Sequence, residues 1–348
     1  MEWSLVRLVW RRYLAARFAT HRRLPAPASS MLVNLLPDFL AVLNSTDRVD
    51  AYHRYYEAHR HRLAAYWHNY VFDPDSPHFD EVVRVTALAD RSDLLTMLER
   101  TDVVALAREA EQQCVSLLEP DVDVDVVLMV GVGAANAGEL VVDGRGMAFV
   151  CLEHFTGVAN PDTQGLGLDP ELIPLWLAHE IAHAVRYTSP TSRSEMRTLI
   201  EENEGYYSYW ETGRRATLRE LLLNEGVAVA VSRQARPGHA SWEYYGYERR
   251  QYTRIRALEP LITRAVSADL DRAGLGLRLR WLSGGVSDDA RTIERTVIPE
   301  RAGYYLGARL AAPAMELRGP AWVVRASATE LLNATDAADA ADAAAATA

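Results

Sequence analysis

LAHEIAHAV, residues 177–185, sets His179, Glu180 and His183 among six apolar or small residues. On an α-helix four residues advance the chain by about 400°, so the two imidazoles leave one face a single turn apart and can reach one ion from the same side. Glu180 then lies beside them, close enough to meet a water at that ion without ligating it. The plainer reading is a buried helix whose histidines only pack. At this composition H-E-x-x-H arises by accident in about two of a hundred such chains, so the motif needs support from elsewhere. Its flanks suit a helix: LDPELIP supplies Asp169 and Pro170 as start signals, with Pro174 blurring the first turn, and SPTS follows Thr188 as a stop.

Two histidines leave a site incomplete, because a catalytic zinc normally takes three protein ligands and keeps one position open. In the pattern H-E-x-x-H-x-x-G-x-x-H the third is a histidine six residues on; here Arg186 replaces the glycine and Ser189 the histidine, which excludes that branch. TLRELLLNEGVAVAVSR, residues 217–233, offers another. Leu218, Leu221, Leu222, Val229 and Ser232 define one helical face with Glu225 in its middle. A carboxylate on a core stripe is costly without a cation. An arginine from elsewhere would serve, but so would a metal on a companion helix that lacks one carboxylate ligand. Gly226 costs a helix about 1 kcal/mol relative to alanine, so its presence suggests that the two metal helices approach closely there.

The chain has 348 residues, 49% hydrophobic and 24% charged, enough to bury a large core as one domain or two. A formal net charge of −10 gives no support for a nucleic-acid partner, which asks for cationic surplus. Cys114 and Cys151 form no C-x-x-C pair and no disulfide framework, and no apolar run reaches the length of a membrane span, so a cytoplasmic protein is expected.

Residues 1–30 form a basic arm, six arginines against Glu2, ending in the linker-like PAPASS. Trp3, Val6, Trp10 and Tyr13 fall near one helical face, which allows surface association of residues 1–23 with a membrane; an upstream translated extension before Met31 is the alternative. Residues 31–120 read as a helical region through DRVDAYHRYYEAHRHRLAAYWHNYV, SDLLTMLER and DVVALAREAEQQCVSLLE. His53, His59, His61 and His68 on the first of these read as a solvated face rather than a metal site. After Pro120, VDVDVVLMVGV, GELVVDG and GMAFVCLEHF read as strands joined by tight turns, and helical spacing returns with HEIAH. The expected fold is α+β: a mainly helical domain over residues 121–333 with a small mixed sheet before the H-E-x-x-H helix, then a disordered Ala/Asp tail over 334–348.

HEIAH followed by LLNEGVA, with Glu225 placed 42 residues after His183, resembles the gluzincins, thermolysin-like zinc peptidases in which a glutamate on a second helix completes the site. LNEGVA looks most like the third-ligand motif of the aminopeptidase N branch. A bacterial family of predicted zinc-dependent proteases is a closer match, with a glutamate followed by glycine and a G-Y-x-x-G motif near the C-terminus, here Gly303, Tyr304, Tyr305, Leu306 and Gly307. The resemblance spans roughly residues 121–315 and implies a zincin-like fold, one Zn2+ held by His179, His183 and Glu225, a peptide or protein substrate, and Glu180 as the base that takes a proton from the attacking water. It also implies Tyr304 as donor to the developing oxyanion, with Tyr305 as the fallback and aromatic packing as the alternative for both. GMAFVCLEHF occupies the place of the strand along which such peptidases hold extended substrate, and Glu153 the place of an amine-recognising glutamate. CLEHF lacks the G-x-M-E-N pattern, however, which favours an ordinary rim carboxylate. His154 is read as a satisfied strand-end histidine before a substrate contact. Tyr206, Tyr207, Tyr209 and Trp210, between the two metal helices, read equally as a substrate wall and as a packing stripe.

Two other readings use the same residues. A zincin scaffold can serve as a binding or regulatory protein with structural zinc and no turnover, and a purely helical protein can carry both motifs by coincidence.

Overall fold

The computed structural model describes residues 31–334. The basic arm, with its surface-association reading, and the tail beyond residue 334 lie outside the described residues. Four strands form a mixed sheet: β1 (Met31–Asn34), β2 (Val124–Met129), β3 (Ala137–Val142) and β4 (Arg145–Cys151), in the spatial order β1-β2-β4-β3. β1 runs parallel to β2 with Met31 opposite Asp125, and β2 parallel to β4 with Val124 opposite Gly146. β3 and β4 are an antiparallel hairpin closed by Asp143 and Gly144, whose φ angles of 53° and 75° give the twist that a two-residue loop needs.

Residues 31–34 depart from the helical reading. Four residues are too few to show a period, and MLVN becomes a strand because the edge of β2 offers it a ladder. The helices α1 (Leu36–Leu43), α2 (Arg48–Ala58), α3 (Arg60–Tyr66), α4 (Phe79–Leu88), α5 (Ser92–Arg100) and α6 (Val103–Leu118) then follow as expected. Their apolar residues share one continuous core with the rest of the described chain, so the core does not break at residue 120. Of the four histidines between residues 53 and 68, His59 pairs with Asp38 at 2.7 Å and His53 faces Asp80 at 3.6 Å.

A short hairpin, β5 (Ala159–Asn160) with β6 (Gly165–Leu166), leads to the H-E-x-x-H helix α7 (Ile173–Thr188). That helix starts in two steps. Asp169 accepts from the Glu171 amide at 2.9 Å to cap a 3-10 turn, and Pro174 falls in the first turn of α7, where a missing N–H costs nothing. Every residue from Ile173 to Tyr187 is buried. α7 packs on β3 and β4, on α6, and on α10 (Leu218–Ala235), which it reaches through α8 (Glu195–Glu202) and α9 (Tyr209–Arg215). α10 is buried almost all round, so the stripe seen in its sequence is part of a wider apolar surface.

Arg186 and Glu220 join the two enclosed helices. Their side chains are 0% and 1% exposed and meet at 2.8 Å, and the same guanidinium donates to the Ala326 carbonyl at 2.7 Å. The arginine that a glutamate of α10 takes is therefore paired with Glu220, not with Glu225. Beyond α10, helices α11 (Arg249–Ala257), α12 (Glu259–Ser267), α13 (Leu275–Leu282) and α14 (Asp288–Arg291), with the hairpin β7 (Thr292–Ile293) and β8 (Thr296–Val297), lead to α15 (Ala302–Arg318) and α16 (Pro320–Val323).

The close approach expected at Gly226 is made with α15, not with α7. A Cβ on Gly226 would lie 2.0 Å from the Gly307 carbonyl carbon, and one on Gly307 would lie 1.9 Å from the Leu222 oxygen. The two glycines let the backbones of α10 and α15 touch. In an open helix Gly307→Ala would stabilise by about 1 kcal/mol; here urea denaturation is expected to show a loss of at least about 1–3 kcal/mol, from overpacking against backbone that cannot move aside. Arg186→Met strands a buried carboxylate, and the same measurement is expected to show a loss of about 3–5 kcal/mol.

Candidate metal centre

The packing of α7 against α10 brings three side-chain atoms together. His179 Nε2 and His183 Nε2 are 3.1 Å apart, and Glu225 Oε2 lies 3.3 Å from each. Ligand atoms about 2.0–2.1 Å from one tetrahedral ion stand about 3.3 Å from each other, so the triangle has the right size. His179, Glu180 and His183 are all buried, and each offers an atom within 4.8 Å of the others, so this group could hold a metal ion. Of the two carboxylates, Glu225 is the one at ligand spacing. Nδ1 of both imidazoles is buried without a hydrogen-bond partner, which leaves each ring's Nε2 as the atom aimed at its neighbours.

The electrostatics of the cluster ask for a cation. Burial opposes every charge here, yet His183 and His179 hold the Glu225 carboxyl well below its ordinary range. Burial lowers His179, while His183, also opposed by burial, is carried up to about 9 by the facing Glu225. Burial, Glu139 and Glu225 push Glu180 well above the usual carboxylate range, against the pull of His183 and Arg301.

The cleft above these residues has a volume of about 120 Å³ and opens to bulk solvent. Its walls include Glu139 and Gly138 of β3, Tyr304 of α15, and two arginines, Arg278 and Arg301. Tyr304 lies where the motif reading expects it, its ring 6.3 Å from that of His179. Desolvation and Glu225 raise its phenol well above the usual value, so it remains a donor, and Arg301 lies 4.4 Å over the ring. Glu139 accepts from the Tyr187 hydroxyl at 3.2 Å, and Asn224 donates to that hydroxyl at 2.8 Å, which ties the cleft wall to the residue before Glu225.

Other expected site residues lie elsewhere. Glu153 is 1% exposed and spends its carboxylate on the backbone amides of Gly131 and Gly133, at 2.9 and 3.0 Å; it neither lines the cleft nor forms a rim. His154 is buried beside it, also away from the cleft, and both its ring nitrogens lack a hydrogen-bond partner, so it is not the satisfied histidine expected. The Tyr305 hydroxyl bonds Glu259 at 2.7 Å, and its ring packs against Tyr245 and Tyr252, so the packing alternative describes it. The edge strand at the cleft is β3, because β4 is paired on both sides. Even that edge is partly closed: the Tyr70 hydroxyl lies 3.0 Å from the amide and carbonyl of Glu139, and the Tyr207 amide donates to the Val141 carbonyl at 2.9 Å. The aromatic insert divides between the two readings, with Tyr209 in the cleft wall and Tyr207 packed on Tyr187.

Glu139, Arg278 and Arg301 were not singled out from the sequence. ELVV reads only as a strand, and neither arginine stands in a motif, so no local signal marks them.

Compared with family models, with curated proteins and with solved structures, the chain matches none. The site therefore rests on its own geometry. Elemental analysis after purification without added metal is expected to find about one ion per chain in the natural protein and in Glu180→Gln, and markedly less in Glu225→Ala, since a catalytic-type site needs three protein ligands. Equal metal in all three would remove Glu225 from the ligand set.

Proposed function

We propose that this protein is a zinc-dependent peptidase of the gluzincin type. The observation that carries the reading is the convergence of His179, His183 and Glu225 to within 3.3 Å, with Glu180 adjoining on α7 and Tyr304 across the cleft. Two histidines and one carboxylate suit zinc. Held by these three residues, zinc supplies Lewis acidity toward a peptide carbonyl and lowers the pKa of water.

The chain's own groups do the rest. Glu180 takes a proton from the attacking water and returns it to the leaving amine, since it flanks the ligand set without being needed in it. Tyr304 donates its phenol hydrogen to the oxygen that gains charge, and Arg301, stacked on its ring, holds that side chain in place. The Glu139–Tyr187–Asn224 chain steadies the residue next to the third ligand. We place the protein in the cytoplasm: Cys114 and Cys151 are both buried free thiols, and no helix of the described residues is long and apolar enough to cross a membrane.

Hydrolysis of a short-peptide library by the zinc-loaded chain tests the reading. Glu180→Gln is expected to keep its metal and lose about 10²–10⁴-fold in kcat. Tyr304→Phe is expected to lose about 10²–10³-fold in kcat, with little change in KM. Zinc bound tightly with no peptide cleaved would instead indicate a structural metal.

A further inference from the structure

The cleft contains a cation that this chemistry does not use. Arg278, on α13, is 5% exposed and lies 3.5 Å over the ring of Tyr209. It donates to the Tyr209 carbonyl at 2.9 Å through Nη1 and to the Tyr207 hydroxyl at 3.2 Å through Nη2. Each Nη carries two N–H groups, so one remains on each. Arg186 and Arg291, comparably buried, are each paired with a carboxylate. Among the described residues neither Arg278 nor Arg301 has such a partner, although Glu139, Glu180 and Glu225 line the same cleft. Glu225 faces the histidines, and Glu139 is bonded to Tyr70 and Tyr187.

The edge strand adds an independent constraint. With both outward groups of Glu139 and the carbonyl of Val141 already bonded, β3 offers little ladder to a long extended substrate. Recognition then falls to side chains, and a planar guanidinium stacked on an aromatic ring is a pre-organised fork for a carboxylate.

We propose that Arg278, with Arg301 lining the same cleft, binds a carboxylate of the peptide substrate, and that this is the C-terminal carboxylate. The enzyme then trims chains from their C-terminal end: water splits the last C–N bond, leaving a shortened chain with a new carboxylate and a free amino acid. The inference rests on the peptidase reading for its chemistry but not for its binding site.

Calorimetric titration separates the two. The zinc-loaded full chain carrying Glu180→Gln, which does not turn ligand over, is titrated with acetyl-Ala-Ala, with its C-terminal amide, and with acetyl-Ala-Asp amide, whose only carboxylate is on the side chain. The free acid is expected to bind about tenfold or more tighter than its amide, as for hydrogen bonds to a charged group, and Arg278→Gln is expected to abolish that preference. Should Arg278→Gln not fold, the ligand series on the parent chain still decides. Tightest binding of the aspartyl amide would overturn C-terminal trimming and assign the pocket to acidic side chains. Equal binding of all three, or a preference that survives Arg278→Gln, would overturn the arginine site. Carboxylate preference in a natural chain that cleaves neither acid nor amide would sink the peptidase reading alone. Equal cleavage of acid and amide without a binding preference would sink only the arginine site.

Discussion

The geometry of the site depends on the buried pair Arg186–Glu220. Arg186 stands three residues after His183 on α7, and Glu220 five residues before Glu225 on α10, so their contact sets how far one helix slides along the other. A slip of one residue moves a helix by about 1.5 Å and turns it by about 100°, which would carry Glu225 away from both imidazoles. Such a pair adds little net stability, because desolvation offsets attraction; its value lies in making other registers expensive. The arginine also reaches the Ala326 carbonyl, so the same group ties in the chain beyond α16.

With the register set, the cleft arranges charge so that each anion has a defined counterpart. Glu225 faces two imidazoles and Glu139 is held by tyrosine hydroxyls, while burial and Glu139 raise Glu180, so that it is the exception. Arg278 and Arg301 line the same cleft, and among the described residues neither is paired with a carboxylate.

The candidate ligand set, as three side chains that converge, was legible in the sequence because it is made of local patterns: two histidines one turn apart, and a glutamate on an apolar stripe. The three longer strands were equally legible from their β-branched residues and turns. MLVN was not, since its strand state comes from a neighbour more than ninety residues away in the chain. Glu153 misled for the same reason: its position in the chain suggests amine recognition and its departure from the motif a rim, while its surroundings are two amide groups that no local pattern places there. Gly226 was rightly read as a point of close approach, but a glycine does not say which helix approaches. Glu139, Arg278 and Arg301 become functional candidates only when the walls of the cleft are assembled.

The contact of Gly226 with Gly307 bears on how this site could diversify. No side chain intervenes at that crossing, so the distance from Tyr304 to the histidines is set by two peptide backbones. Ordinary core substitutions change spacing through side-chain volume, and here there is none to change. Selection for new substrates would find the α15 wall unresponsive and would act on the opposite one, where Tyr209 and Arg278 present replaceable side chains. One half of the cleft is a fixed datum, and variation is left to the other.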